Sequence, residues 1–401
     1  ASSATIERGE SLETLKRLKL NSPIVVGCVF PRALLKEGPQ PLRLKDATMI
    51  FDGKVYPAES VRLDAMIVAE KLGRSIEQTA ATFIKQADGD YAFAVADRET
   101  IVAGRDVLGI RPLYYGESAD LAVLASERKA LWSIGIAEAR SFPPGCASLV
   151  GRRGFKFTVA ERFIHTKPKR ISLQTAAGKL QNLLEHSVEE RVMGLKEVAV
   201  AFSGGLDSSI IAHLARRTNV NVILIHVSLK NEPEVKSAEQ AAEELKLPLY
   251  SYVYDEHDVQ ETIQRVVRAI EEPDPVKVSI GVPIYWTAER AAGMGCRVML
   301  AGQGADELFG GYRRYLDDFL EGNDDKVEET MFNDIVGMYE ANLERDFKIC
   351  NHFNVELRLP FATRKMARLA ISLPLKLKLE RMDKSLRKLV LRRVARNLGL
   401  P

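Results

Sequence analysis

Val198-Ala199-Val200-Ala201-Phe202-Ser203-Gly204-Gly205-Leu206-Asp207-Ser208-Ser209 is the stretch that decides the fold. Five apolar residues of buried-strand type run into two glycines, and helical periodicity takes over across Ser208–Arg217. Gly204 and Gly205 let the backbone turn sharply and approach a ligand with no Cβ in the way. The amide N–H groups of the loop and of the helix start then face an anion, and Ser203, Ser208 and Ser209 add hydroxyl donors. Asp207 would repel phosphate unless it holds Mg²⁺, which neutralises pyrophosphate oxygens. The lysine of the GxxxxGK[ST] loop is missing, so the γ-phosphate-transferring type is excluded. An isolated Ser-Gly-Gly would be no more than a helix cap; set between strand and helix it predicts an ATP pyrophosphate-binding loop, with AMP and pyrophosphate as products.

Moving outward, strands and helices alternate from Lys167-Pro168-Lys169-Arg170 onward. Strands are expected over 220–228, 249–254 and 297–301, and helices over 237–246, 259–270 and 283–293. Such alternation builds a doubly wound parallel sheet, whose ligands bind beyond the carboxyl ends of the strands. A second glycine-rich loop, Ala301-Gly302-Gln303-Gly304-Ala305-Asp306-Glu307-Leu308-Phe309-Gly310-Gly311-Tyr312, falls at that same edge. Gly302 and Gly304 permit close approach, and Asp306 offers a second hard oxygen ligand for a metal held by Asp207. Read blandly, it is a hairpin tip with solvated charges. The part after Gly311 reads as helical. In its basic tail Leu386, Leu389, Val390 and Val394 recur at helical spacing, so Lys384, Arg387, Arg392 and Arg396 fit a solvated face.

Before about residue 165 the pattern is that of short antiparallel strands in an α+β region. Strands are expected over 24–29, 47–51, 91–96, 100–103 and 121–125, with helices over 64–72 and 76–85. Asp52-Gly53, Asp88-Gly89 and Pro143-Pro144-Gly145 supply turn signals. Two domains, 1–165 and 166–401, are therefore expected. Composition is ordinary for a water-soluble protein, at 46% hydrophobic and 28% charged over 401 residues. No apolar tract is long enough to span a bilayer and no secretory signal pattern is visible, so a cytoplasmic, membrane-free protein is expected. Cys28, Cys146, Cys296 and Cys350 form no CxxC pair, which fits a reducing compartment. A net charge of +3 is too small to argue for nucleic acid.

Taken together, the two loops resemble the asparagine synthetase family, whose synthetase domain carries SGGLDSS and then (S/A)GxGxDExFGGY. Val355-Glu356-Leu357-Arg358-Leu359-Pro360-Phe361 is similar to the family's VEARVPF segment, and Lys388-Leu389-Val390-Leu391-Arg392 to its KxxLR helix. Residues 88–94, 104–115 and 125–131 resemble its N-terminal glutaminase-type domain. The resemblance implies an N-terminal αββα sandwich and a C-terminal ATP pyrophosphatase domain with a helical end. It implies an AMP-forming ligase that activates a carboxylate, aspartate in most of the family, and passes ammonia or glutamine nitrogen to it. Carried over by position, Ala201, Phe202, Leu206, Val227, Ala301 and Gly302 join Ser203–Ser209 around ATP. Asp207 and Asp306 hold Mg²⁺, and Lys388 contacts the phosphates, with Lys384 as a second choice. Family members are often dimers through the N-terminal domain, and the apolar strands there allow a homodimer.

Departures from the pattern are confined to two places. The chain begins Ala1-Ser2-Ser3 with no cysteine before Cys28, where the family has an N-terminal nucleophile. Asp52-Gly53-Lys54 stands where the family has Asn-Gly-Glu, so a cation replaces an acceptor; Asp64 matches a glutamine-contacting aspartate. Weak or absent glutaminase activity is expected, with Asp52, Gly53 and Asp64 as a remnant of the glutamine site. In the synthetase half Gln303 replaces a Glu that takes a proton from the attacking amine, and Val276 and Ser279 replace Thr and Arg. Ala362-Thr363 replaces Leu-Asp, and Glu271 with Asp274 is either an acid–base pair or a charged loop. His213 and His226 read as core or edge residues. Two other readings stay open: the same scaffold on another carboxylate or amine, as in β-lactam synthetases, and a non-catalytic nucleotide-binding paralogue.

Overall fold

The computed structural model describes residues 2–7, 24–30, 40–43, 47–56, 76–381 and 387–400. The chain divides into two compact units, Ala1–Arg162 and Phe163–Pro401. Asp64, Lys384, Leu386 and the helix expected over 64–72 lie outside the described residues, as does the Cys28 side chain.

The first unit contains β1 (Ser2–Glu7), β2 (Val25–Phe30), β3 (Leu42–Arg43), β4 (Thr48–Tyr56), α1 (Ile76–Gln86), β5 (Asp88–Ala96) and β6 (Ile101–Arg105). It continues through β7 (Tyr114–Glu117), β8 (Ala122–Ala125), α2 (Arg128–Trp132), β9 (Arg140–Ser141), β10 (Cys146–Gly151) and β11 (Gly154–Val159). Six of the strands form an antiparallel sheet in the order β11-β10-β6-β5-β4-β3. Alternation along β5 splits the core between its two faces. Tyr91, Phe93 and Val95 pack with Phe83 and Ile84 of α1, while Ala92 faces Leu113, Phe142 and Cys146.

Two expected turns are instead strand interior. Asp52-Gly53 sits within β4 and Asp88-Gly89 within β5, facing each other in register: Gly53 opposite Tyr91, Gly89 opposite Val55. A Cβ on Gly53 would lie 1.9 Å from the Asp90 carbonyl oxygen, and one on Gly89 2.2 Å from that of Lys54. These glycines mark close approach of two backbones, the other meaning of glycine in a strand. The turn expected at Pro144-Gly145 is present, with Gly145 at φ +65°.

The second unit starts with an exposed coil containing Lys167–Arg170, then α3 (Leu173–Val192). Next come β12 (Glu197–Ala201), α4 (Leu206–Arg216), β13 (Asn221–Leu229), α5 (Glu234–Leu245), β14 (Leu249–Tyr254) and α6 (Glu256–Ile270). α7 (Pro275–Gly293), β15 (Val298–Leu300), α8 (Ala305–Phe309), α9 (Arg313–Leu320) and α10 (Asp324–Met338) follow. A π-helical turn (Tyr339–Leu343) joins α10 to α11 (Glu344–His352); β16 (Glu356–Arg358), α12 (Arg364–Ser372) and α13 (Leu389–Asn397) complete the unit.

The sheet is wholly parallel, in the order β14-β13-β12-β15-β16. Val198, Ala199 and Val200 are fully buried, as a strand covered on both faces requires. The strand order reverses between β12 and β15, where Val200 pairs with Leu300. Both glycine-rich loops leave the sheet at that switch point, the place where such sheets bind ligands. One helix is longer than its sequence suggests. α7 starts at Pro275, where Asp274 caps Lys277 N at 2.8 Å, and Pro283 is accommodated inside it. Proline at the first position and an aspartate cap outweigh one lost helical hydrogen bond.

Candidate active site at the sheet switch point

The first loop turns through Gly204 at φ +74°, where a Cβ would come within 2.7 Å of the Ala238 backbone. No larger residue fits there. Ser203 Oγ accepts from Gly205 N at 3.2 Å and lies 3.3 Å from Ser208 Oγ, which donates to the Gly205 carbonyl at 3.2 Å. α4 begins at once with no side-chain cap, which leaves its first N–H groups facing the site. Phe202 is buried, and Ala201, Leu206 and Ser209 are half-buried along the same path. Val227 is half-buried on β13, in register with Tyr252.

Asp207 occupies the first turn of α4, so its carboxylate points back toward the loop. The second loop brings Asp306 to it. Gly302 closes against Asp207, with space for a Cβ only 3.1 Å from Asp207 Cβ. Lys388, distant in sequence, enters between the two acids: its Nζ lies 2.5 Å from Asp207 Oδ2 and 2.7 Å from Asp306 Oδ1. Gly311 makes room for the group, since a Cβ there would fall 1.6 Å from Asp306 Oδ1 and 2.2 Å from Lys388 Cε.

Burial pushes the Asp207 carboxyl above its ordinary range; Lys388 pulls it back and Asp306 pushes it further up. Burial also works against the Lys388 ammonium, but the two carboxylates outweigh it and hold its pKa above the usual value. Asp207 Oδ1 is buried with no hydrogen-bond partner. A buried carboxylate oxygen left open beside a second acid fits a hard divalent cation, which takes one or two carboxylates and shares the rest of its shell with phosphates and water. Asp207 and Asp306 are the residues that would hold it. Lys388 could then serve the phosphates as a mobile cation.

The second loop carries more than the sequence announced. Glu307 is 3% exposed and accepts from Tyr312 Oη at 2.5 Å and from Asn342 Nδ2 at 2.6 Å. Burial pushes the Glu307 carboxyl up, with Tyr312 opposing, and burial beside Glu307 pushes the Tyr312 hydroxyl up. Gln303 is half-buried, and its side chain approaches Asp346 of α11. Asn342, Arg345 and Asp346 have no local sequence signal; only the π-helical turn and α11 bring them to this loop.

Glu271 and Asp274 are engaged elsewhere. Glu271 forms an ion pair with Lys348 at 2.7 Å, both side chains at most 2% exposed, and Asp274 is the cap of α7. His226 is buried with Nδ1 2.9 Å from the Phe202 carbonyl, and His213 is half-buried on α4. In the first unit Asp52 lies 3.7 Å from Arg111, whose other acid partner is Asp90 at 3.9 Å. Lys54, opposite Asp90 in register, is 5% exposed. Cys146, Cys296 and Cys350 are buried free thiols. Among the described residues no helix is long and apolar enough to cross a membrane.

The doubly wound sheet thus brings a Ser-Gly-Gly loop and two carboxylates together at its switch point. The asparagine synthase family model matches residues 179–323 and 317–401, and a glutamine amidotransferase domain matches 30–133. The chain belongs to the asparagine synthase family. A candidate glutamine-hydrolysing asparagine synthetase of Methanocaldococcus jannaschii is 34% identical over 318 residues, covering 75% of this chain and 59% of the relative. Glutamine-hydrolysing asparagine synthetase 2 of Arabidopsis thaliana is 27% identical over 368 residues, covering 86% and 63%. The Zea mays enzyme is 26% identical, covering 84% and 60%. The chain thus spans roughly three fifths of the length of these relatives.

Proposed function

We propose that this chain activates a carboxylic acid with ATP and transfers ammonia to it, releasing AMP and pyrophosphate. The observation that carries the reading is the Lys388 ammonium held between Asp207 and Asp306 at the sheet switch point. ATP would lie with its β- and γ-phosphates on Ser203–Ser209. A bound Mg²⁺ would supply charge neutralisation at the pyrophosphate. The N–H groups of α4 and the Lys388 ammonium would stabilise the negative charge that builds up as the acid attacks the α-phosphorus, an electrostatic task that needs no covalent help from the protein. Ammonia then displaces AMP to give the amide.

Free ammonia, rather than glutamine, is the nitrogen source we favour. Lys54 stands where the family has an acceptor carboxylate, so the remnant of the glutamine site carries a cation in place of an acceptor. The test is pyrophosphate release from ATP with ammonia across a panel of acids, with glutamate release from glutamine read in parallel. Release with L-aspartate supports an asparagine-forming enzyme, and release with another acid a different acceptor. No release with any acid contradicts the reading, and rapid glutamate formation contradicts the choice of nitrogen source.

A further inference from the structure

The segment between α12 and α13 encloses a cationic side chain. α12 ends at Ser372, and Pro374 leads into a single 3₁₀ turn, Leu375–Leu377, with both leucines buried. Lys378 follows directly, and its main chain is tied on both sides. Its N–H donates to the Leu375 carbonyl at 2.7 Å, and its carbonyl accepts from Leu389 N at 3.0 Å. The residue is 4% exposed, and its Nζ has no hydrogen bond or ion pair among the described residues. Nζ is not sealed in, because Lys378 borders a cavity of about 20 Å³. Glu328, Phe332 and Ile335, at helical spacing, turn one face of α10 to that cavity, and Ile371 and Leu373 add further apolar wall. His165, exposed and with its ring 5.3 Å from that of Phe332, lies where the cavity reaches the surface.

An ammonium has three donors and no acceptor, and burying it without partners is strongly unfavourable. Glu328 is the one carboxylate on the lining; it acts on the amine through space but forms no ion pair with it, and it is half-exposed, so solvent screens it. Water alone suits the space poorly, because a buried water needs several polar partners and most of this wall is hydrocarbon. By the measure in which one water takes about 10–15 Å³, the space admits one or two small groups, as many as a carboxylate has oxygens. Apolar walls around a single buried cation are the complement of a small acid with an apolar tail.

We propose that this cavity binds the carboxylate of a short-chain monocarboxylic acid, its oxygens on Lys378 Nζ and its tail along Phe332, Ile335 and Ile371. The site shares no lining residue with the one at the sheet switch point and does not rest on the adenylating function. The turn itself links the two. Leu389, held by the Lys378 carbonyl, follows Lys388, and a Cβ on Gly310 of the second loop would lie 3.4 Å from Lys378 Cβ. An acid on Lys378 thus braces the segment that mounts Lys388. His165 and Glu328 are the titratable groups that face the amine across the cavity. Burial pulls the amine down to about 8, with Glu328 opposing. Above that value a carboxylate must draw a proton onto the amine as it binds, so affinity falls as pH rises.

The test titrates the full chain, without ATP, with sodium acetate, propionate and pivalate in a calorimeter, with sodium chloride of equal ionic strength as reference. Propionate should bind more tightly than acetate, by up to about fourfold for one buried CH₂, and pivalate, too broad for the space, should not bind. Lys378→Met should weaken propionate by about tenfold or more, the loss expected of a hydrogen bond to a charged group. Glu328→Gln should tighten it by about twofold to fivefold, the range for one screened charge. From pH 7 to pH 9 the affinity should fall about tenfold, as the protonated fraction of an amine near 8 does, and it should fall alike in His165→Gln. Absent propionate binding, a response equal to that of sodium chloride, or undiminished binding to Lys378→Met overturns the proposal. If Lys378→Met does not fold, the other two measurements decide: a constant affinity across that pH range, or weaker binding in Glu328→Gln, overturns it.

Discussion

Lys388 holds a left-handed backbone conformation, φ 57°, immediately before α13. A side chain other than glycine pays about 1 kcal/mol or more for that region, and the conformation persists because both neighbours are tied. Arg387 bridges Leu379 and donates to the Gly311 carbonyl at 2.5 Å, and Leu389 N donates to the Lys378 carbonyl at 3.0 Å. Gly311 is thus held at one end by Arg387 and crowded at the other by Asp306 and Lys388. Gly311→Ala must push the Asp306 carboxylate or the lysine stem aside, because the new Cβ would overlap both. The expected outcome is a loss in kcat/KM on the order of tenfold or more, about 1.4 kcal/mol of transition-state stabilisation. The thermal midpoint should stay within a few degrees, since the side chains that crowd buried Gly311 are those of the site, Asp306 and Lys388. Steady-state kinetics with a thermal melt check both, and a variant with unchanged kcat/KM would show that the carboxylate–ammonium geometry is not needed for turnover.

The Ser203–Ser209 loop and Asp306 were legible in the sequence because strand, glycine, carboxylate and helix are adjacent there, and local geometry is set by local residues. Arg345 and Asp346 were not. Their place depends on α11 crossing α7 at Gly281, a contact between segments more than sixty residues apart. The glycines at 53 and 89 were misread for the same reason, since a turn and a close approach of two strands use the same residue.

At the scale of elements, the turn that carries Lys378 connects α12 to the start of α13. Lys378 is 4% exposed and lines a small cavity of about 20 Å³ with Glu328, His165 and Phe332. Burial pulls its amine down to about 8, with Glu328 acting in the opposite sense. The unfolded chain keeps this proton up to the ordinary lysine range, so between pH 8 and about 10.5 it binds more protons than the folded chain. The contribution of this group to stability therefore rises with pH across that window. Lys378→Met removes the penalty of a buried cation. It should raise the thermal midpoint at pH 7 and flatten the rise above pH 8, by an amount of up to about 3 kcal/mol for a shift of this size. Thermal melts from pH 6 to 10 test it, and a lower midpoint at pH 7 would show that Glu328 compensates the charge more fully.

At the scale of the whole molecule, the parallel order of the second unit is what converts two short loops into one site. With β12 and β15 adjacent, residues more than ninety positions apart in sequence come together at one edge, and α13 closes over them with Lys388. This level was half legible. The alternation of strands and helices predicted a doubly wound sheet, but strand order and the reach of α13 are long-range facts that no local pattern contains. The measurement that bears most directly on the account is the nucleotide product formed from ATP in the presence of ammonia, Mg²⁺ and a panel of acids, in the unaltered chain and in Asp207→Ala. The account predicts AMP and pyrophosphate in equal amounts from the unaltered chain, and none from a folded Asp207→Ala protein. Formation of ADP and phosphate instead, or undiminished pyrophosphate release from Asp207→Ala, would contradict it.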